Sequence, residues 1–310
     1  MRRILIVLSM VLPFLCSCND DLLSVGSKES ANVHFSVAVP GTATKTKAST
    51  EIGDGKNVDI LYYEIWSDSN GKPSGKLTSG SVGRVSEKNF ELNLTLLSDQ
   101  TYHFLLWAQV DGKNVYDVTS LRSITTDYSN TVGNDEDRAA FFAARKYHIT
   151  GDITDEQIDL MRPFAQLNVG TSTLKSSLQE GDLTVNGTKV TVTSPANAFD
   201  VATGVGSVSC TAVADVFTAE GLPSNPDKIS VEGVDYHYMS MNYFFVPGDN
   251  SSNVTVDLEF YTDYGTVKKS ISEVPVAENH KTNIVGDLLF KSAELSIVVI
   301  EGFSKEEFIK

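Results

Sequence analysis

The sequence predicts a mainly β protein built as two tandem β-sandwich domains with one or two short helices. Three observations carry this. Val33, Phe35, Val37 and Val39 alternate with His34, Ser36 and Ala38, the period of a strand with one buried face. Turn residues then recur at roughly 8–12-residue intervals along the chain, the spacing of sandwich strands. The chain has 310 residues, and the roughly 290 left after an N-terminal leader suit two domains.

The elements follow in order. Pro40-Gly41 ends the first strand, and residues 41–57 are Thr, Lys, Ser and Gly without apolar period, a long exposed loop. Val58 to Trp66 is a second strand, followed by the turn chemistry of Asp68-Ser69-Asn70-Gly71. Phe90 to Leu97 and Tyr102 to Val110 are strands rich in apolar and aromatic residues. Asn134-Asp135-Glu136-Asp137 before Arg138 to Lys146 reads as one short helix, with acids at its start and basic residues at its end. The second half begins near Ile149. Met161 to Gly170 is a strand started by Pro163. Asn186-Gly187, between Leu183–Val185 and Thr188–Thr193, reads as a type I′ hairpin turn. Val254–Tyr261 and Thr266–Ile271 flank Asp263-Tyr264-Gly265 as a second hairpin. Ala293 to Ile300 is a final strand, apolar on both sides, as in a strand covered on both faces.

The first residues carry chemistry of their own. Met1-Arg2-Arg3 is basic, and Ile4 to Leu15 is an apolar run too short to span a bilayer, the layout of an export signal. It ends in Leu15-Cys16-Ser17-Cys18, a lipobox in which small Ser17 admits the peptidase and the Cys18 thiol accepts diacylglycerol. Cys16 fits less well because Leu15 precedes it directly. The alternative is an ordinary signal peptide with two incidental cysteines. The expected division is a leader at 1–18, a tether at 19–31, and sandwiches at 32–148 and 149–310. More than one acyl chain would give stable anchoring in the outer membrane.

Composition excludes several functions. The formal net charge is −15, and removing Arg2 and Arg3 takes it to −17, so a nucleic-acid partner is not expected. Acidity serves solubility outside the cell. Of the three cysteines only Cys210 lies outside the leader, so no internal disulfide is expected. In its strand-like run, Cys210 reads as a small apolar residue rather than a nucleophile. The five histidines show no metal-ligand spacing, and neither HExxH nor G-x-S-x-G occurs. Gly204-Val205-Gly206 lacks the third glycine of a dinucleotide loop and reads as a turn. Asp68-Ser69-Asn70-Gly71 lacks the first acid and closing Glu of a calcium loop. No cofactor, metal or enzymatic activity is expected.

Two stretches resemble a known family. Arg162-Pro163-Phe164-Ala165-Gln166-Leu167-Asn168-Val169-Gly170-Thr171 is similar to the "RPFAQINVGT" stretch of fimbrillin-like lipoproteins of the Bacteroidetes. Asn279-His280-Lys281-Thr282-Asn283-Ile284-Val285-Gly286-Asp287-Leu288-Leu289 resembles their "RNYRTNIVGNLLT" stretch. Glu278 stands where that family usually has Arg, and Phe290 where it often has Thr. Asn19-Asp20-Asp21 resembles the acidic export tag of surface lipoproteins in the same phylum, and acid equally suits a solvated tether.

The resemblance implies transthyretin-like sandwiches and assembly into type V pili by β-strand exchange. A trypsin-like protease would cut the loop after the first strand, and a neighbour's strand would fill the groove left behind. Lys45 and Lys47, in Thr44-Lys45-Thr46-Lys47-Ala48, are the candidate cleavage positions. Relatives often have Thr-Arg-Ala there, and an Arg-specific protease would not cut at Lys. The donor candidate is Ala293 to Ile300; the competing and stronger reading of that run is an ordinary closing strand of its own domain. Expected partners are other fimbrial subunits, a host or glycan receptor, and the outer membrane through the lipid. The alternative is a glycan- or host-protein-binding surface lipoprotein that never polymerises, using aromatics such as Trp66, Trp107 or Tyr236-His237-Tyr238 to stack on sugars.

Overall fold

The computed structural model describes residues 29–40, 55–86, 89–128, 131–172, 184–193, 195–207, 215–220, 222, 228–248, 251–289 and 295–301. The leader with Cys16 and Cys18, the tag at 19–21, Lys45, Lys47 and Cys210 lie outside the described residues. The first half contributes β1 (Ser30–Ala38), β2 (Ile60–Ser69), β3 (Lys72–Gly83), β4 (Asn89–Leu97), β5 (Gln100–Gln109), β6 (Tyr116–Asp117), β7 (Ile124–Thr126), β8 (Thr131–Val132), β9 (Ala140–Ile149) and β10 (Ile153–Asp159). The second half adds β11 (Phe164–Thr171), β12 (Val185–Thr193), β13 (Ala198–Asp200), β14 (Val205–Ser207), β15 (Asp215–Glu220), β16 (Lys228–Val231), β17 (Val234–Phe245), β18 (Ser251–Thr262), β19 (Gly265–Ala277), β20 (His280–Gly286) and β21 (Leu295–Glu301).

Two sheets, β10-β1-β4 and β3-β2-β5-β9, face each other in the first half. Between them lies a core of Val33, Phe35, Val37, Leu61, Ile65, Phe90, Leu92, Phe104, Leu106, Phe141 and Ile158, among others. Two five-stranded sheets, β16-β17-β11-β20-β21 and β19-β18-β12-β15-β8, form the second sandwich. Leu167, Val169, Val190, Val192, Met239, Val256, Leu258, Phe260 and Ile284 fill it. The fold is thus the expected β-sandwich type, with alternation along the strands setting which side chains go inward.

A third core joins the halves. Trp107 of β5 and Phe142 of β9 turn away from the first core to meet Phe164, Phe199, Tyr243 and Phe245 from the second half. A small sheet, β14-β13-β7-β6, draws two strands from each half. This is why β5 is buried on both faces from Tyr102 to Gln109. β10, which follows residue 149 in sequence, pairs in parallel with β1.

Several local expectations change. The short helix reduces to one 3-10 turn, Glu136–Arg138, capped by the Asp135 side chain, which accepts from the Asp137 N–H. Residues 140–149 are instead strand β9, paired with β5 along its whole length. Ala140, Phe141, Phe142 and Ala143 are all buried, and a strand between two cores hides both faces where a surface helix would hide one stripe. Asn186-Gly187 makes no hairpin: both sit inside β12, where the register against β18 slips between Val185 and Gly187. The signal belongs to a β-bulge in a central strand rather than to a turn. The second hairpin forms as expected, with Thr262 opposite Gly265 across a tight turn. At Asn70-Gly71 both residues have positive φ, 53° and 80°, as a two-residue hairpin loop requires.

Candidate functional site

β1 is the strand on which exchange would turn. It runs antiparallel to β4 from Ser30↔Leu97 to Ala38↔Asn89, and parallel to β10 from Val33↔Ile153 to Ala38↔Asp159. Ala31, Val33, Phe35, Val37 and Val39 are each at most 3% exposed. Phe35 meets the rings of Phe104 at 5.1 Å and Tyr147 at 5.0 Å. The outer face is polar: His34 Nε2 lies 2.6 Å from a Glu91 carboxylate oxygen, and Asn89 Nδ2 donates to Ser36 Oγ at 2.9 Å. The Asn32 backbone N–H donates to Asp152 at 2.7 Å. Removing β1 alone would leave β4 and β10 with unpaired backbone edges, Leu92 and Ile158 at the sides and Phe104 of the facing sheet on the floor, the geometry of a groove for an extended strand.

The loop after β1 returns to a fixed point. At Gly55 φ is +69°, and an added Cβ would sit 2.7 Å from the Phe141 ring and 3.0 Å from Val39. Arg84 Nη1 donates to the carbonyls of Gly55, Lys56 and Val58 at 3.3, 3.2 and 2.8 Å. A guanidinium with several donors suits this role. The segment carrying Lys45 and Lys47 is therefore bounded by Pro40 on one side and a clamped glycine on the other.

β21 is an edge strand. Among the described residues it pairs with β20 alone, from Gly286↔Leu295 to His280↔Glu301. None of Leu295 to Ile300 is buried, and Val299 is 39% exposed. Leu295 and Ile297 pack on the second core, and among the described residues the expected cover on both faces is not met. Ala293 and Glu294, the first residues of the expected strand, lie outside the described residues.

The two motif stretches lie side by side as β11 and β20, paired in parallel from Gln166↔Lys281 to Thr171↔Gly286. On the face toward the shared core they build a buried amide ladder. Gln166 Nε2 donates to Asn168 Oδ1, Asn168 Nδ2 donates to Asn283 Oδ1, both at 2.8 Å, and the Tyr238 hydroxyl donates to Asn168 Oδ1 at 2.6 Å. Burial pushes the Tyr238 hydroxyl well above its ordinary pKa. Arg162 is 1% exposed and stacks 4.5 Å over Phe141 of β9, tying the motif to the first half. These residues hold sheets together. The sequence shows Met161 to Gly170 as a strand but hides the ladder, since Gln166 and Asn168 in alternate positions look like a solvent face.

The aromatics nominated for sugar stacking divide. Trp107 is fully buried, its Nε1 donating to Gln109 Oε1 at 2.8 Å, and Tyr238 is 2% exposed. Trp66 is half-buried, with the Arg122 guanidinium 5.7 Å over its ring. Trp107 and Tyr238 are therefore core residues. Among the described residues, no three His, Cys, Asp or Glu side chains gather to hold a metal, and no helix is long and apolar enough to cross a membrane.

Solved structures of similar fold come from the Bacteroidetes. A candidate cell-adhesion protein from Bacteroides uniformis superposes with a TM-score of 0.52 at 14% identity, over 88% of this chain and 98% of that one. A candidate adhesin from Bacteroides thetaiotaomicron gives 0.51 at 10%, over 89% and 99%. The tip fimbrial protein Mfa3 from Porphyromonas gingivalis gives 0.49 at 10%, over 88% and 100%. The neighbours are fimbrial and adhesin-like proteins, in keeping with the resemblance in the two motifs; at these identities the likeness is one of fold. The chain belongs to a family of unknown function, DUF6562, whose model matches residues 25–310. No curated protein matches it.

Proposed function

We propose that this chain is a surface lipoprotein of the outer membrane, anchored through Cys18, that serves as a fimbrial subunit or fimbrillin-like adhesin and assembles by protease-triggered strand exchange. One observation carries the reading. β1 is the middle strand of a three-stranded sheet and supplies an unbroken row of buried side chains, so its loss would open a groove with two hydrogen-bonding edges and an apolar floor. Cleavage at Lys45 or Lys47 would free β1. The edge strand β21, apolar at Leu295, Ile297 and Val299, has the alternation to replace it in a neighbour. The names of the structural neighbours support an adhesive or fimbrial role, and with it a cell-surface location. In this reading the chain divides into two sandwiches, with β10 closing the first.

One observation favours the alternative of a binding lipoprotein that never polymerises: β1 is paired on both sides and β21 already has a partner in β20, so exchange must break existing ladders. Limited trypsin digestion of the soluble chain, read by mass spectrometry and an unboiled SDS gel, separates the two. The expected result is a cut at Lys45 or Lys47 followed by a ladder of SDS-resistant multimers. An intact loop, or a cut chain that stays monomeric, sinks the polymerising subunit.

A further inference from the structure

An open cleft of about 610 Å³ lies where β5 ends and the chain turns toward β6. Its walls include Tyr62, Gln109, Asp111, Asn114, Asp117 and Thr119. Tyr62, opposite Trp107 on β2, is half-buried and offers a ring. Positive φ at Gly112 and Asn114, 69° and 53°, folds the loop tightly around the mouth. The volume falls in the range of small-ligand sites.

The polar groups of the cleft are selective. Gln109 is 5% exposed; its Oε1 is taken by Trp107 Nε1, while its Nε2 has no acceptor among the described residues. The Nε2 atom is not sealed among the buried unpartnered atoms, so it can donate to a group in the cleft. Asp117 Oδ1 accepts from both the backbone N–H and the hydroxyl of Thr119, at 2.9 and 2.6 Å, which fixes the carboxylate and leaves Oδ2 open. Asp111 is held at its backbone, whose N–H donates to Asp59 Oδ1 at 2.8 Å, and its carboxylate remains available. None of the lining residues is cationic, and Lys113 is turned onto Asp137 at 2.7 Å. An anionic ligand is therefore excluded by charge. An ammonium group would satisfy the carboxylates but has no lone pair for the Gln109 N–H groups. The ligand that fits must donate to carboxylates, accept from an amide and lay an apolar face on a tyrosine.

We propose that this cleft is a binding site for a neutral carbohydrate, with vicinal hydroxyls bridging Asp111 and Asp117, a ring or hydroxyl oxygen accepting from Gln109 Nε2, and a sugar face against Tyr62. The assignment stands apart from strand exchange, since the uncut monomer has the whole cleft.

Saturation-transfer NMR on the mature uncut chain tests it, with lactose, maltose and N,N′-diacetylchitobiose as neutral probes. Sialyllactose, an acetylated Gly-Lys-Gly amide and calcium chloride are the charged comparisons. At least one neutral disaccharide should bind, with an affinity that low and high salt leave unchanged. Tyr62→Ala and Asp111→Asn alter half-exposed or exposed side chains, so melting temperature should hold while affinity falls about tenfold or more. Failure of all three neutral probes overturns the proposal. So does neutral binding that both variants retain, or binding confined to the lysine peptide or calcium and lost with salt.

Discussion

Glu278 is the residue whose setting departs furthest from its chemistry. It is 8% exposed in the turn between β19 and β20, and burial alone raises its carboxyl pKa from 4.5 to about 8. The neighbouring backbone is committed elsewhere: the Asn279 N–H donates to the Phe164 carbonyl at 3.0 Å, and the Glu278 carbonyl lies 2.6 Å from His280 Nδ1. A carboxyl with a raised folded pKa contributes stability that is complete below pH 4.5 and is lost as pH rises through about 8. Glu278→Gln keeps the shape and removes the charge. Its urea midpoint should match the parent near pH 4.5 and exceed it near pH 9, the gap opening between those values. Equal midpoints at both ends would mean that the Glu278 carboxyl reaches solvent. The oddity was visible in sequence as an acid where relatives carry Arg, but its burial was not, because acids beside turns are usually solvated.

At the scale of elements, alternation announced the strands with one wet face, and apolar and aromatic content announced the fully buried β5 and β11. β1, β4 and β18 alternate cleanly and were readable, as was the β18–β19 hairpin. β3 and β10 were not. β3 reads Lys72-Pro73-Ser74-Gly75-Lys76-Leu77 onward, an edge strand exposed along nearly all its length, and β10 is polar except at Ile153 and Ile158. Neither buries enough apolar surface to leave a period, so one side of the β1 seat was hidden from sequence. β9 failed for the opposite reason, being apolar on both faces at its start. The candidate site was thus half legible: the strand that could leave could be read, but β10, which holds one side of it, could not. The same contrast separates β11 from β21. Every residue of β11 is buried between two paired neighbours, whereas β21 is paired once and buried nowhere from Leu295 to Ile300. Local opening follows burial and pairing. Hydrogen–deuterium exchange should therefore label peptides covering 295–301 well before those covering 164–171. Equal protection would mean that β21 is locked into its own sheet and is a poor donor.

At the scale of the molecule, the third core sets how the halves answer stress. Phe199, from the second half, stacks on Phe245 at 5.4 Å and meets Phe142 of the first half edge-on at 4.8 Å. Trp107 lies 6.1 Å from Phe199. The β7–β13 and β8–β15 pairings thread first-half backbone into second-half sheets, and the Phe142–Met161 bridge binds β9 to the start of the second half. A chain of two independent sandwiches would unfold in two steps, the first sandwich lost without the second. Shared sheets and a shared core make one step the cheaper path, since opening either half exposes the common aromatic layer. Both tryptophans, Trp66 and Trp107, sit on first-half strands and pack in the shared aromatic layer, so their fluorescence reports on that layer and the sheet that carries it, while circular dichroism reports on all sheets. The two urea curves should superimpose. Phe199→Ala should lower the fluorescence midpoint although residue 199 belongs to the second half, with a loss of about 3–5 kcal/mol, as for a fully buried Phe. Separate curves, or a fluorescence midpoint unmoved by Phe199→Ala, would mean that the aromatic layer is a contact between independent domains, and a groove opened by loss of β1 would then leave the second sandwich and β21 undisturbed.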